Sequence, residues 1–399
     1  MKTSMANSRF DKKVIVSILS IFSISFLLSL ALMQVIAGLL FFMWLLERNE
    51  EKKKTTGMIL YSIFIFGIIR LLSIVFSEYP SISYQSIYKE AIFYTSAIAL
   101  SYYYKALEKE EIIKILTIFI IGASLISLIG IFRFYSGEVH RAQSYSGSYT
   151  VFSSYLLVAF SFSLFFYKNL TKIRSQIFWA IIYVIIFTGI FTSLGRANLI
   201  IAILIFLFAI VLKQIRFIQF FILLLSLLII LGINIIYPTK TIEQRVSNLT
   251  QLSDRDIIWQ GAYKIAFEKP VLGFGPRTFS EVFPDKEKFN DKGVGGWHND
   301  FLQIYFESGI IGLLSFIFLI YMIFRESVLN IKNLKIVEEY KSISISIIFS
   351  VFSLLLTTFT SGFITSTYIS VVFVFLITLI DRISLERNEY LNLHQMRNQ

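Results

Sequence analysis

The chain has 399 residues, of which 56% are hydrophobic and 16% are charged, and its formal net charge is +11. Soluble domains are about 45–50% apolar and about 25% charged, so this composition excludes an ordinary soluble protein. Long apolar runs indicate a polytopic membrane protein instead. The basic residues lie beside these runs, as they do in membrane proteins, and are not a sign of nucleic-acid binding. The chain has no cysteine, which excludes disulfides and thiolate metal sites.

The apolar runs predict an all-α fold with twelve transmembrane helices. The first run, residues 14–46, is too long for a cleaved signal peptide and is interpreted as two spans. Residues 1–236 then hold nine helices, residues 298–380 hold three more, and residues 381–399 form a tail. The predicted spans are 14–29, 31–46, 57–76, 89–104, 112–134, 150–167, 177–194, 197–213, 216–236, 299–324, 343–360 and 363–380.

The distribution of Lys and Arg orients the predicted helices. If the N terminus is cytoplasmic, every inner segment is basic, whereas the short outer loops near 78–86, 137–149 and 358–362 contain almost no Lys or Arg. Cytoplasmic loops carry the excess of basic residues in membrane proteins. The alternation requires an even number of spans, and it predicts that both termini are cytoplasmic.

One long polar loop, residues 237–297, falls on the outer side between spans nine and ten. Loops of this length in compact proteins are usually functional. Within it, residues 255–270 are predicted to form an amphipathic helix that Pro270 ends. Its apolar face consists of Ile258, Ala262, Ile265 and Ala266. A helix of this kind suits the membrane surface.

Two arginines occupy positions where a charge is costly. Arg70 lies within the third span, and an ionisable residue at such a position suggests a functional site. A buried ion pair with Glu90 would explain this arginine equally well. Arg196 lies at the outer end of spans seven and eight. It is interpreted either as an interfacial arginine that reaches the headgroups or as a ligand for an anionic group, with Ser193 and Gly195 leaving room beside it.

Three further arginines, Arg245, Arg255 and Arg277, belong to the long outer loop. Loop arginines are usually solvated, but the planar guanidinium can also donate two hydrogen bonds to a phosphate. Several outer arginines without a matching cluster of carboxylates favour an anionic ligand such as a lipid diphosphate.

His298 lies where the long loop enters span ten, after the flexible sequence GVGG and beside Trp297. A helix N terminus disfavours the imidazolium ion, and a neutral imidazole can accept a proton. The alternative is an interfacial histidine with no chemical role. Asn299 and Asp300 are expected to cap the helix. Glu307 lies two and a half turns further on, at a depth where an acid is expected to pair with an arginine or a histidine.

Together, these motifs resemble those of the O-antigen ligase and polymerase superfamily. The stretch HNDFLQIYFESGIIGLL (298–314) is similar to its H-N-x-x-L-x-x-x-x-E-x-G-x-x-G signature. TSLGRANLI (192–200) resembles its arginine motif, and DRDIIWQGAYKIAFEKPVLGFGPRTF (254–279) resembles the stretch that leads to its Pro-x-x-G-x-G-P turn. Residues 245–249 and 298–309 also fit the R-x3-L and H-x10-G patterns of the ligase branch, which is therefore favoured.

The resemblance implies an enzyme of the bacterial inner membrane that transfers a polysaccharide from undecaprenyl diphosphate to an acceptor on the outer face. The acceptor would be lipid A–core or a similar glycolipid, and no metal or other cofactor is implied. Arg196 and Arg245, assisted by Arg277 or Arg255, would hold the donor diphosphate, while His298 would be the base of an inverting transfer. Possible cavity-lining residues are Arg70 and Glu307.

Two alternatives remain open. A polymerase of the same superfamily would join repeat units with the same donor chemistry, and the motifs do not separate the two enzymes. A transporter of lipid-linked glycans would also suit twelve spans. Transporters place their charged residues near the bilayer midplane between repeats, whereas the candidates here collect at the outer face and in one loop. This distribution favours an enzyme.

Overall fold

A computed structural model describes residues 8–53, 57–166, 172–215, 217–236, 255–284, 287, 296–333, 338–359 and 362–397. Every regular element in these ranges is a helix, as the apolar runs predicted. A short 3₁₀ turn, Tyr104–Ala106, follows the sixth helix. The helices are α1 Lys12–Ser25, α2 Leu30–Leu46, α3 Asn49–Lys53, α4 Met58–Val75, α5 Pro80–Ser83, α6 Gln85–Tyr103, α7 Lys109–Tyr135, α8 Tyr149–Phe166, α9 Ile173–Thr192, α10 Arg196–Val211, α11 Phe217–Ile236, α12 Arg255–Ile265, α13 Phe279–Val282, α14 Asp300–Asn333, α15 Glu338–Thr357 and α16 Thr367–Arg397.

Each of the twelve predicted spans overlaps one of these helices. Seven helices in the described part of the chain, α4, α7, α8, α9, α14, α15 and α16, are long and apolar enough to cross a membrane. Helices α2, α10 and the first half of α11 are apolar but shorter. The chain is therefore a polytopic membrane protein, while the count of twelve crossings stays a prediction.

Small polar residues let the central helices approach one another closely. Helix α8 is 83% buried within the bundle and packs along the serine-rich helix α15. Ser350 Oγ donates to the carbonyl of Val158 at 3.3 Å, and Ser342 Oγ donates to the carbonyl of Phe166 at 3.2 Å. Membrane helices associate through small residues and interhelical hydrogen bonds of this kind, because lipid gives them no hydrophobic reason to do so.

The predicted outer loops meet at one end of the bundle. Lys269 of the long loop pairs with Glu78 at 2.5 Å, and Asp300 accepts the backbone N–H of Phe363 at 2.8 Å. At the opposite end, Lys109 pairs with Glu339 at 3.3 Å. This grouping is the one that the charge alternation requires, although which end faces the cytoplasm stays a prediction.

At the opposite end of the bundle, a buried aspartate of α16 caps the start of α4. Asp381 in α16 accepts the N–H of Ile59 at 3.0 Å and that of Leu60 at 3.1 Å. Both donors lie in the first turn of α4, where helical N–H groups have no partner within the helix. A side chain on Gly57 would collide with the carboxylate, since its Cβ would lie 2.1 Å from Asp381 Cγ. Asp381 thus supplies the N-terminal cap that α4 lacks in its own sequence.

We expect Asp381→Ala to lower the free energy of unfolding by about 1–3 kcal/mol, because two buried N–H groups lose their acceptor. Thermal unfolding of the purified protein in detergent measures the effect. Asp381→Asn keeps one acceptor oxygen and should lose less. An Asp381→Ala variant that melts with the wild type would show that the cap contributes nothing.

Candidate active site

A cavity of about 420 Å³ lies at the end of the bundle where the predicted outer loops meet; this end is called the cavity end below. Three predicted residues line it, namely Arg277, His298 and Glu307. The other walls come from the start of α6, the start of α14 and the connection between α15 and α16. The complete lining in the described residues is Ile82, Gln85, Lys89, Arg277, Phe279, Gly296, His298, Gln303, Glu307, Gly362 and Thr365.

The cavity depends on a break in helix α14. Gly309 has φ 64° and ψ −168°, so the helix stops there and starts again at the next residue. The carbonyl of Phe306 accepts from the N–H of Phe274 at 2.7 Å, and that of Glu307 accepts from Gly275 at 3.1 Å. On the C-terminal side of the break, the N–H of Ile310 donates to the carbonyl of Pro270 at 2.8 Å. The turn segment 270–275 therefore replaces the helical hydrogen bonds that the break removes.

This replacement explains why two separate motifs of the sequence contain glycine. A Cβ on Gly309 would lie 2.0 Å from the carbonyl oxygen of Val271, and a Cβ on Gly273, at φ 69°, would lie 2.5 Å from that of Phe306. Backbone that leaves the helix at membrane depth is tolerated only where protein satisfies its polar groups. Glycine at these two positions lets the 270–275 segment and the broken part of α14 approach closely enough to form these hydrogen bonds.

Glu307 organises the wall behind the cavity. Its Oε1 accepts the backbone N–H of Arg277 at 2.9 Å and the amide of Gln303 at 2.9 Å. Its Oε2 accepts from Arg70 Nη1 at 2.7 Å. Arg277 has φ 65°, a left-handed conformation that is uncommon for residues other than glycine. The carboxylate therefore holds the turn that presents Arg277 to the cavity.

Arg70 is enclosed by acids and does not line the cavity. Its guanidinium donates to Glu90 at 2.5 Å and to Glu307 at 2.7 Å, and it also contacts Ser308 Oγ at 3.3 Å. The side chain is buried between α4, α6 and α14. The arrangement is the buried ion pair that the sequence offered as the second explanation for Arg70. With two carboxylates around it, the guanidinium has little capacity left for an anionic ligand.

Arg277 contrasts with Arg70. It makes no ion pair with any residue that the structure describes, and its Nε is buried without an acceptor in that part of the chain. Lys89, which donates to Gln85 at 3.3 Å, brings a second cation to the same cavity. A guanidinium that has donors to spare beside an ammonium group is the arrangement that binds phosphates.

His298 stands exposed at the cavity between two anchored neighbours. Trp297 is buried and stacks on Phe306 with ring centroids 4.0 Å apart. Asn299 caps α14 as expected, because its Oδ1 accepts the N–H of Leu302 at 3.1 Å. Asp300 instead binds the backbone N–H groups of residues 363 and 364 and so places the α15–α16 connection in the cavity wall.

The remaining predicted residues are not brought to the cavity by the described structure. Arg196 starts helix α10, partly buried, and is not among the described lining residues. Arg245 lies outside the described residues. Arg255 is placed as the first residue of α12, but its side chain is not described. The roles of these three arginines stay predictions.

Four polar lining residues, Gln85, Lys89, Gln303 and Thr365, were not among the predicted site residues. Lys89 precedes Glu90 at the start of a predicted span, where a lysine is ordinary, and no motif marks it. Gln303 lies inside the motif that contains His298 and Glu307, one turn before the glutamate. This spacing places the two side chains on one helix face, and it is the only feature of the sequence that points to Gln303 as a site residue.

The amphipathic helix α12 forms the outer support of the site, and its predicted apolar face packs against protein. Its predicted apolar face, Ile258, Ala262 and Ile265, is buried in a cluster with aromatic residues that include Phe283 and Trp297. This face is covered by protein, and whether another side of the helix meets the membrane surface stays a prediction. Helix α12 also ends at Ile265, before Pro270.

The comparisons with known proteins agree with the motifs that build this cavity. Residues 181–317 match the family described as O-antigen ligase, which includes the helix break, the turn that enters it and His298. Residues 181–317 of this polytopic membrane protein are thus similar to the O-antigen ligase family. A protein of Rickettsia conorii, named "Putative polysaccharide ligase", is 28% identical over 116 residues, and the match covers 27% of this chain and 27% of that protein.

We expect Gly309→Ala to destabilise the protein by at least about 1–3 kcal/mol, because alanine does not tolerate this backbone conformation and its methyl group would collide with Val271. Thermal unfolding in detergent measures the loss. The matched control is Gly38→Ala in α2, where nothing lies within 4 Å of the added methyl group. Equal melting temperatures for the two variants would contradict the account of the break.

Proposed function

We propose that the protein transfers a polysaccharide from undecaprenyl diphosphate to a lipid A–core or similar glycolipid acceptor at the outer face of the bacterial inner membrane. The observation that carries the proposal is the cavity in which His298, Arg277 and Lys89 meet. The family match and the printed name of the Rickettsia relative support transfer of a polysaccharide. The proposal places the cavity end outside, both termini in the cytoplasm and all twelve predicted spans across the membrane.

The two cations of the cavity would bind the diphosphate of the donor. A site of about 420 Å³ lies within the range of about 300–1,000 Å³ typical of small-molecule pockets. It suits a diphosphate with the adjoining sugar, while the rest of the glycan extends into solvent. Arg277 and Lys89 would stabilise the negative charge that develops on the leaving diphosphate. Arg196, Arg245 and Arg255 are proposed as further donor contacts from the sequence motifs alone.

His298 would act as the general base. Its neutral imidazole takes the proton of the acceptor hydroxyl, whose oxygen attacks the anomeric carbon of the donor sugar. The bond from that carbon to the diphosphate oxygen breaks, and undecaprenyl diphosphate leaves from the opposite face with inversion of configuration. The proton remains on His298 until it passes to solvent, which the exposed position of the side chain permits.

The test uses purified protein in liposomes with an undecaprenyl-diphosphate oligosaccharide, with and without lipid A–core. We expect transfer only when the acceptor is present and at least about a 100-fold lower rate for His298→Ala, since general base catalysis contributes about 10²–10⁴-fold. His140→Ala, which changes an exposed histidine of the 137–149 loop, is the matched control and should transfer normally.

Two results would overturn the proposal. A ladder of multiples that stays on the lipid carrier without an acceptor would identify a polymerase. A His298→Ala variant as active as the His140→Ala control would remove the base from its assigned role.

Glu307 and Glu90 allow the positioning of Arg277 to be tested separately from stability. Both acids pair with Arg70, but only Glu307 also binds the backbone N–H of Arg277. We expect Glu307→Gln and Glu90→Gln to lower thermal stability by comparable amounts. Only Glu307→Gln should raise the KM for the donor, by about tenfold, since one charge-assisted hydrogen bond is worth about 1.5–3 kcal/mol. An equal rise in KM for both variants would count against the positioning role.

A further inference from the structure

The surface of helix α12 has three different flanks. One flank is the face already packed against the aromatic cluster with Phe283 and Trp297. A second flank carries Gln260 and Lys264, which are polar and exposed. The third carries large apolar side chains that nothing in the described structure covers. A helix that lies where protein, water and lipid meet needs one side suited to each of the three, and α12 has three such sides.

The uncovered flank continues past the end of the helix as a line of exposed residues spaced four apart. We call this line the aromatic stripe. Residues four apart lie on the same side of a helix, so Trp259 and Tyr263 share one side of α12, and Phe267 and Val271 follow in the turns after Ile265. Its members and their exposed fractions are Trp259 at 55%, Tyr263 at 81%, Phe267 at 84% and Val271 at 55%. Two aromatic side chains that are more than four-fifths exposed are costly in water, because their apolar surface gains nothing there.

The Val271 end of the aromatic stripe contacts α14, one of the helices long and apolar enough to cross a membrane. Val271 lies at the break in α14, where its carbonyl accepts the N–H of Ile311 at 3.5 Å. Ile310, Ile311 and Leu314 of this crossing helix are themselves exposed. Exposed apolar side chains of the long apolar helix α14 therefore lie beside the Val271 end of the aromatic stripe.

Lys269, which lies between the last two residues of the aromatic stripe, ties this segment to the region just beyond a second long apolar helix, α4. Lys269 pairs with Glu78, three residues beyond the last residue of α4. The exposed side chains of Val75 and Phe76 lie just before this ion pair in the chain. An ion pair directly beyond an exposed apolar helix end is typical of the level at which hydrocarbon meets the headgroups.

We propose that the aromatic stripe is seated in the interface of the bilayer leaflet at the cavity end, so that α12 lies along the lipid headgroups. Tryptophan and tyrosine are enriched at this depth, because their rings are apolar and their N–H and O–H groups reach water. The occupant is the lipid surface itself. The proposal rests on the membrane assignment and holds independently of the transferase reaction.

Lipid contact at the aromatic stripe would also fix the position of the cavity. The inner face of α12 packs in the same aromatic cluster as Phe279, which lines the cavity, and Trp297, which precedes His298. Lipid contact on one side of the helix is thereby linked to the cavity wall on the other. The cavity is held at headgroup depth, the level at which a lipid presents a diphosphate.

The absence of cysteine from the chain permits a direct test, because a single introduced cysteine carries a unique spin label. Tyr263→Cys and Phe267→Cys are labelled with a nitroxide, and the full-length protein is reconstituted in vesicles of phosphatidylethanolamine and phosphatidylglycerol. Collision with oxygen reports lipid, and collision with a water-soluble nickel chelate reports water. Both native side chains are exposed, so the labels do not disturb the packing.

Two positions supply the references. Leu314→Cys, 57% exposed on α14, reports the lipid-facing surface, and Gln260→Cys reports the polar flank of the same helix α12. We expect the labels at 263 and 267 to collide with oxygen nearly as often as the label at 314. They should collide with nickel at least about fivefold less often than the label at 260, as expected for residues buried about 5–10 Å into the interface.

Nickel accessibility equal to that at position 260 would show that the aromatic stripe faces water and would overturn the proposal. Labels shielded from both collision partners would mean that protein covers the stripe. Spin–spin broadening in that case would identify the cover as a second copy of this chain. Either form of shielding would overturn the proposal as well.

Discussion

The replacement of helical hydrogen bonds at Gly309 is the constraint on which the rest of the site depends. A membrane helix that breaks must have its freed carbonyl and N–H groups satisfied by protein, since lipid offers no hydrogen bonds. Segment 270–275 does this with its own backbone, and the long loop is thereby fixed to the transmembrane bundle. The turn that carries Arg277 follows at once in the chain. Its position is therefore a direct result of how the break is repaired.

The same break places a carboxylate between two arginines with different roles. Glu307, two residues before Gly309, pairs with the buried Arg70 in the interior of the bundle and binds the backbone of Arg277 on the cavity side. Arg70 is neutralised by two acids and stabilises the wall, whereas the guanidinium of Arg277 remains without an acid in the described residues. The difference between the two side chains lies in their neighbours, because both are arginines at costly positions.

Apolar runs predicted every long helix of the bundle, but pattern alone did not say which surface covers each face. For α12, the predicted face of Ile258, Ala262 and Ile265 is covered by aromatic residues of the same loop, and the membrane is proposed to meet the other flank. Periodicity identifies an apolar face and says nothing about its partner. Lys89 was missed for a related reason, since a lysine at a span end is unremarkable until the cavity beside it is known.

The sequence by itself determined the class of protein, the positions of the helices and the motif that contains His298, Glu307 and Gly309. These properties are local, because hydropathy, charge and short spacing are written in neighbouring residues. Tertiary structure decided which arginine is enclosed and which faces the cavity, and it brought the 270–275 segment to the break in α14. Contacts between residues 30 to 237 positions apart depend on how the whole bundle packs, and no local pattern records them.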